Sequence, residues 1–235
     1  MNKLFLIITC LCSSLLVMGQ GQIKRHQKEY KNKVEISKPD GYINGHGYVD
    51  LGLPSGTKWA TCNVGAAEPW NYGDYYSWGE TSTKEKYEMT ESSLSRKRVD
   101  QIVGNVNYDA ATRNWGTGWC MPSEIEMEEL FKHSNIKAIS ISNVKGILIT
   151  GPNGKNIFIP KSGYCDFGRN KPVSVGELLH YWTGTANYKH QGEKYYEDDM
   201  YSTALRDNHT GCNDYSLQPS FRGWGMPIRP ILSKK

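Results

Sequence analysis

Side chains that could coordinate a metal ion or a polar ligand are concentrated between residues 187 and 215. Calcium takes about six to eight hard oxygen ligands, and loops rich in carboxylates and amides can supply them. The same composition is also typical of a solvated acidic loop. No cofactor is therefore predicted; calcium is the alternative for this segment, and the metal ligands stay unassigned. The oxygen donors of the segment are Glu197, Asp198, Asp199, Asp207, Asn208 and Asp214.

Four tyrosines make the same segment a candidate recognition surface. Sugar rings stack on exposed aromatic rings, while their hydroxyls bond to nearby amides and carboxylates. Binding residues also gather on loops that a rigid scaffold carries. We therefore predict that this late loop recognises a glycan or a surface protein; the alternative is a loop that packs its own tyrosines. The predicted ligand-binding residues are Tyr188, Tyr195, Tyr196, Asp198, Tyr201, Asp207 and Asn208.

The histidines and cysteines form no recognisable catalytic motif. None of the six histidines has the spacing of metal ligands on a helix, and no serine or cysteine lies in a known nucleophile motif. Beyond residue 12 the chain holds four cysteines, which an oxidising compartment could pair in three complete ways. Buried free thiols and a single disulfide are the two alternatives that stay open. No catalytic residue is predicted, and the four cysteines are Cys62, Cys120, Cys165 and Cys212.

Residues 1–19 are predicted to be a secretory signal peptide. Lys3 precedes an apolar run over residues 4–17, and small residues precede a cut before Gln20. The run is shorter than the roughly 18 apolar residues of a membrane span, so an integral membrane protein is not expected. A lipoprotein cut before one of the two early cysteines would lack the usual small residue there. The chain is therefore predicted to reach the periplasm, the outer surface or the medium.

Positive charge is concentrated in residues 20–40, which are predicted to be a basic linker. That segment holds six Lys or Arg against three Asp or Glu, whereas residues 41–235 are neutral overall. A domain that binds nucleic acid carries its basic residues on the folded face, so nucleic acid is not an expected partner. Residues 41–235 have the size of a single domain.

Local patterns predict one clear helix in a mixed α+β domain with many turns. Ser123 and Glu126 form a capping box, in which each side chain bonds a free backbone N–H of the first turn. Met127, Leu130 and Phe131 follow at helical spacing and give one apolar stripe. Residues 146–150 and 156–160 are predicted to form a hairpin around an Asn-Gly turn. The other predicted strands cover residues 48–53, 58–61, 178–185 and 226–232.

Three motifs rich in glycine and aromatic residues lie near the start of the domain: YVDLGLPSG at 48–56, WATCNVGA at 59–66 and YGDYYSWGET at 72–81. Four later segments are GWCMPS at 118–123, IFIP at 157–160, YWTGT at 181–185 and IRPI at 228–231. The three motifs resemble the Fibrobacter succinogenes major paralogous domain, a family found in secreted proteins of gut bacteria. The later segments resemble further motifs of this family, although Cys120 and Gly184 stand where arginine and serine are usual.

The resemblance implies a C-type-lectin-like fold, also similar to that of formylglycine-generating enzymes. Such a fold has small, twisted, mostly antiparallel sheets, a few helices and long irregular loops. It also implies that the tryptophans inside the motifs belong to the core: Trp59, Trp78, Trp119 and Trp182.

Three functions follow as hypotheses from the resemblance and from the missing catalytic motifs. The first is a non-catalytic binding module at the cell envelope, which acts through the late loop. The second is an enzyme that uses Cys165 or Cys212. The third is a purely structural envelope protein.

Overall fold

The computed structural model describes residues 34–89, 91–166, 168–187, 200–207 and 215–233. The chain divides into two compact units, residues 1–36 and Ser37–Lys235. Every helix and strand described below belongs to the second unit. These elements are mostly antiparallel strands with two short helices, so the domain is α+β, as predicted.

The first sheet has five strands and begins with a tight hairpin. Its strands are β1 (Gly41–Ile43), β2 (His46–Asp50), β3 (Lys58–Ala60), β4 (Trp119–Cys120) and β11 (Ile231–Leu232). They lie in the order β1-β2-β3-β11-β4, and all pair antiparallel. Asn44 and Gly45 join β1 to β2 with φ angles of 51° and 82°. Two positive φ angles in a two-residue loop define a type I′ turn, for which Asn-Gly is the preferred sequence.

Two three-stranded antiparallel sheets complete the domain. The second sheet is β5 (Asn135–Ile141), β6 (Val144–Thr150) and β7 (Asn156–Pro160), in chain order. The third sheet is β8 (His180–Ala186), β9 (Tyr201–Asp207) and β10 (Tyr215–Phe221), with β9 in the middle. The β6–β7 pairing confirms the hairpin predicted for residues 146–160.

The two helices are held at their first turns by side-chain caps. Helix α1 (Ala110–Trp115) begins after Asp109, whose carboxylate accepts hydrogen bonds from two backbone N–H groups of the helix. Helix α2 (Glu124–His133) begins with the predicted capping box of Ser123 and Glu126. Met127 and Leu130 are buried, so the predicted apolar stripe packs on the core. In the described part of the chain, no helix is long and apolar enough to cross a membrane.

The core confirms the predicted burial of the four motif tryptophans. Trp59, Trp78, Trp119 and Trp182 are each 0% exposed. They divide between two apolar clusters, one around Trp78 and Trp182 and the other around Trp59. Cys120, which stands where the resembling family has arginine, lies in the second cluster. In this chain, residue 120 is therefore a buried side chain with apolar neighbours.

The predicted strand over residues 226–232 is shorter in the structure. Only Ile231 and Leu232 pair as a strand, with β3 and β4. Pro227 and Pro230 have no N–H to donate, so they interrupt the ladder. Their carbonyls still accept hydrogen bonds from the backbone of Trp182 and Ala60. The segment therefore accepts backbone hydrogen bonds from both the third sheet, through Trp182, and the first sheet, through Ala60. It does not form a continuous strand of either sheet.

Candidate functional site

Two of the seven residues predicted to bind a ligand lie within the described residues. Tyr201 begins β9, is 7% exposed and packs its ring against Phe221 with centroids 4.6 Å apart. Asp207 ends β9 and forms an ion pair with Lys161, whose Nζ lies 2.9 Å from Oδ2. Both side chains thus have partners inside the domain. The other five lie outside the described residues, and they are Tyr188, Tyr195, Tyr196, Asp198 and Asn208.

A concave site lies beside the β1–β2 hairpin, far from the late loop in the sequence. We call it the hairpin cleft. It has a volume of about 470 Å³, within the range of about 300–1,000 Å³ that is typical of small-molecule sites. Its lining comes from three separate segments and one residue of α1. The lining residues are Ser37, Pro39, Tyr42, Gly45, His46, Gly47, Thr61, Cys62, Ala66, Ala67, Glu68, Pro69 and Trp115.

The tip of the hairpin is fastened to the end of α1 and to β4. Asn44 donates from Nδ2 to the carbonyl of Trp115 at 2.7 Å, and Trp119 donates from Nε1 to the carbonyl of Ile43 at 3.0 Å. Gly118 allows this close approach, because a Cβ there would lie 2.6 Å from Cγ2 of Ile43. These contacts fix the hairpin, and with it the side chains that β1 and β2 present to the cleft.

The fixed hairpin builds an aromatic wall. The ring of His46 lies parallel to the indole of Trp115, with centroids 3.7 Å apart and 5° between the planes. Trp119 meets Trp115 edge-on at 5.1 Å and supports it from the core. Burial lowers the pKa of His46 below its usual value, so the imidazole is neutral near pH 7. Tyr42 is 68% exposed at the rim.

The facing wall is a tightly turned loop over residues 61–69. Thr61 donates from Oγ1 to the carbonyl of Gly47 at 3.3 Å, which joins this loop to β2. The backbone N–H of Glu68 donates to Oδ1 of Asn71, and the backbone N–H of Asn71 donates to the carbonyl of Glu68, both at 3.0 Å. Glu68 is therefore anchored by its backbone while its side chain is exposed.

The cysteines divide into one partly exposed thiol and two buried ones. Cys62 lines the hairpin cleft, whereas Cys120 and Cys165 are buried, and no disulfide joins any two of these three. Pairing all four cysteines in two disulfides would leave one disulfide between two of these three. Complete pairing is therefore wrong. Burial raises the pKa of Cys165 to about 12, with the charge of Asp166 adding to the effect. That thiol is therefore protonated and unreactive at neutral pH.

Comparison with protein-family models, with curated proteins and with solved structures finds no match to this chain. Within the described ranges, no three His, Cys, Asp or Glu side chains are grouped as metal ligands would be. Most of the late loop, where calcium is the alternative, lies outside those ranges.

Sequence reasoning missed the hairpin cleft. Its lining residues are far apart in the chain, and no single motif joins Tyr42, His46 and Trp115. The Asn44-Gly45 pair was the available signal. An Asn-Gly pair between short apolar segments predicts a tight hairpin, and its strands carry two of the three aromatic side chains.

Proposed function

We propose that this protein is an exported binding module of the cell envelope, which recognises a glycan or a surface protein and has no catalytic activity. The observation that carries the proposal is the hairpin cleft. Its aromatic wall is held by the Asn44–Trp115 and Trp119–Ile43 hydrogen bonds before any ligand arrives. A site that is already ordered loses less conformational entropy on binding, so more of its contact energy appears as affinity.

The proposal includes the family suggested by the sequence motifs and the C-type-lectin-like architecture that this family implies. The small antiparallel sheets, the two short helices and the burial of all four motif tryptophans support it. Such a scaffold carries its recognition residues on loops. The late loop remains a second proposed recognition surface, with calcium as a cofactor to be tested there.

A cysteine-dependent enzyme is the second candidate. The chemistry of the described thiols counts against Cys165 as its nucleophile. A catalytic cysteine needs an accessible thiolate. Cys165 is 1% exposed and its pKa is raised, so it fits a core side chain better than a nucleophile. Cys212, the other cysteine of that hypothesis, lies outside the described residues. A structural envelope protein is the third candidate, and it predicts no ligand for the cleft.

The test is a binding screen of the full chain without its predicted signal peptide. The purified protein is applied to a glycan array and to solubilised envelope proteins, once with calcium and once with a chelator. We expect saturable binding to a glycan or to a defined envelope protein. Loss of that binding in chelator would assign the late loop a metal-dependent role. Absence of binding in every condition would contradict the proposal and favour a structural protein.

A further inference from the structure

We propose that the hairpin cleft is a site for a neutral saccharide, which stacks on the His46–Trp115 wall and bonds its hydroxyls to His46, Tyr42 and Glu68. This inference rests on the proposed function and names the ligand class and the place where it binds. Neither the sequence motifs nor the late loop pointed to this site.

The shape and chemistry of the wall suit a sugar ring. A pyranose ring has one face of aliphatic C–H groups and a rim of hydroxyls, so it needs a flat aromatic surface bordered by polar groups. The stacked His46 and Trp115 rings are parallel to within 5°, and the exposed Tyr42 lines the same cleft. The stacking covers one face of the imidazole with the indole, so the sugar ring would stack on the other face of the imidazole.

The cleft also offers hydrogen-bonding groups to a ligand. The imidazole of His46, the hydroxyl of Tyr42 and the carboxylate of Glu68 make no hydrogen bond to another residue in the described part of the chain. A neutral imidazole offers one donor and one acceptor, a phenol offers both, and a carboxylate accepts only. That combination suits sugar hydroxyls, each of which both donates and accepts.

The sign of the charge in the cleft lining selects among saccharides. Glu68 is the one acidic side chain among the cleft-lining residues, no lysine or arginine lines the cleft, and burial lowers the pKa of His46. A uronate, sialate, sulfate or phosphate group would meet this carboxylate without a compensating cation. The lining therefore favours neutral hexoses and N-acetylhexosamines.

The test uses the full chain without its predicted signal peptide and measures affinity by calorimetry. The probes are neutral oligosaccharides of glucose, galactose, mannose and N-acetylglucosamine, with the matching uronic-acid oligosaccharides and a proline-rich peptide as competitors. We expect a neutral oligosaccharide to bind best. Tyr42→Ala and Glu68→Gln should each weaken that binding about tenfold. The matched controls Ile125→Ala and Glu85→Gln, exposed outside the cleft, should change it less than about twofold.

A second readout locates the ligand without any substitution. Cys62 lines the cleft and is partly exposed, whereas Cys120 and Cys165 are buried. Maleimide labelling followed by peptide mass spectrometry reports each cysteine separately. Bound saccharide should slow the labelling of Cys62 at least about threefold, because the ligand would cover the thiol.

The outcomes separate this inference from the proposed function. Saccharide binding that leaves Cys62 labelling and the Tyr42→Ala affinity unchanged would place the site elsewhere, which overturns the inference and leaves the binding module standing. Preference for uronic-acid oligosaccharides, or protection of Cys62 by the peptide alone, would overturn the ligand class. If neither a saccharide nor an envelope protein binds, both proposals fail.

Discussion

Asp109 lies inside the protein at the start of α1, where its carboxylate accepts four backbone hydrogen bonds. Oδ1 accepts from the N–H groups of Ala111 and Thr112 at 2.9 and 3.0 Å. Oδ2 accepts from those of Gly104 and Met121 at 2.8 and 2.9 Å. Burial raises the pKa of Asp109, and the hydrogen bonds to the charged form oppose that effect. This one side chain thus holds α1, the loop before it and the residue that follows β4.

We predict that Asp109→Asn lowers the free energy of unfolding by about 2–4 kcal/mol. The asparagine amide keeps the shape but has a single acceptor oxygen, so its NH₂ group would face two backbone N–H groups. Urea unfolding followed by circular dichroism measures the change. Asp100→Asn, at an exposed position nearby, should cost less than about 0.5 kcal/mol. A loss below about 1 kcal/mol in the Asp109 variant would contradict this account.

At the scale of elements, the loop between β6 and β7 contains two glycines that are needed for different reasons. Gly151 lies against Leu51, the residue after β2, and a Cβ at position 151 would be 2.1 Å from the carbonyl oxygen of Leu51. Gly154 has a φ of 83°, and a Cβ there would have no atom within 4 Å. The first glycine is required by close packing of two segments, and the second by backbone conformation alone.

The two substitutions should therefore differ in cost. Gly154→Ala places an L-residue in the left-handed region and should lower the free energy of unfolding by about 1–2 kcal/mol. Gly151→Ala must push apart the β6–β7 loop and Leu51, so we expect a loss of about 3 kcal/mol or more. Chemical denaturation of both variants under the same conditions makes the comparison. Equal losses would show that Gly151 is not held against Leu51 in solution.

The elements that the sequence predicted are those whose signals are local. The capping box of Ser123 and Glu126 lies within one turn of chain, and the β6–β7 hairpin is formed by neighbouring segments. The strand over 226–232 was predicted from its apolar residues, but partner positions and the missing N–H groups of Pro227 and Pro230 decided its length. Pairings such as Ile231 with Trp59 cannot be found from local pattern, because the partners are far apart in the chain.

The hairpin cleft was unpredictable for the same physical reason. His46 lies on Trp115 because the I′ turn, the Asn44 side chain and the absence of a Cβ at Gly118 act together. Each of these features has its own local signal, but their meeting point is set by tertiary packing. The sequence did predict aromatic side chains in the recognition surface, and its prediction that the motif tryptophans lie in the core is confirmed.

At the scale of the whole molecule, two fully buried arginines connect elements that share no strand pairing. The guanidinium of Arg229 bonds the first sheet and its following loop to β7 of the second sheet. The guanidinium of Arg222 bonds β9 of the third sheet to residues 94–97, and it lies 4.4 Å above the ring of Trp78. Arg229 donates to the carbonyls of Ala60, Thr61 and Phe158 and to Oδ1 of Asn63.

Arg229→Lys should therefore lower the free energy of unfolding by about 3 kcal/mol or more. Lysine keeps the charge but carries its donors on one nitrogen, so it cannot span carbonyls of two sheets, and at least one would stay buried without a donor. Urea unfolding measures the loss, and Arg113→Lys at an exposed position of α1 is the matched control. Because Arg229 joins the first sheet to the second, its loss should also reduce amide-exchange protection in β7 more than in β9. Uniform loss of protection across all three sheets would instead mean that the sheets unfold as one unit, and that no single arginine acts as the connection between two of them.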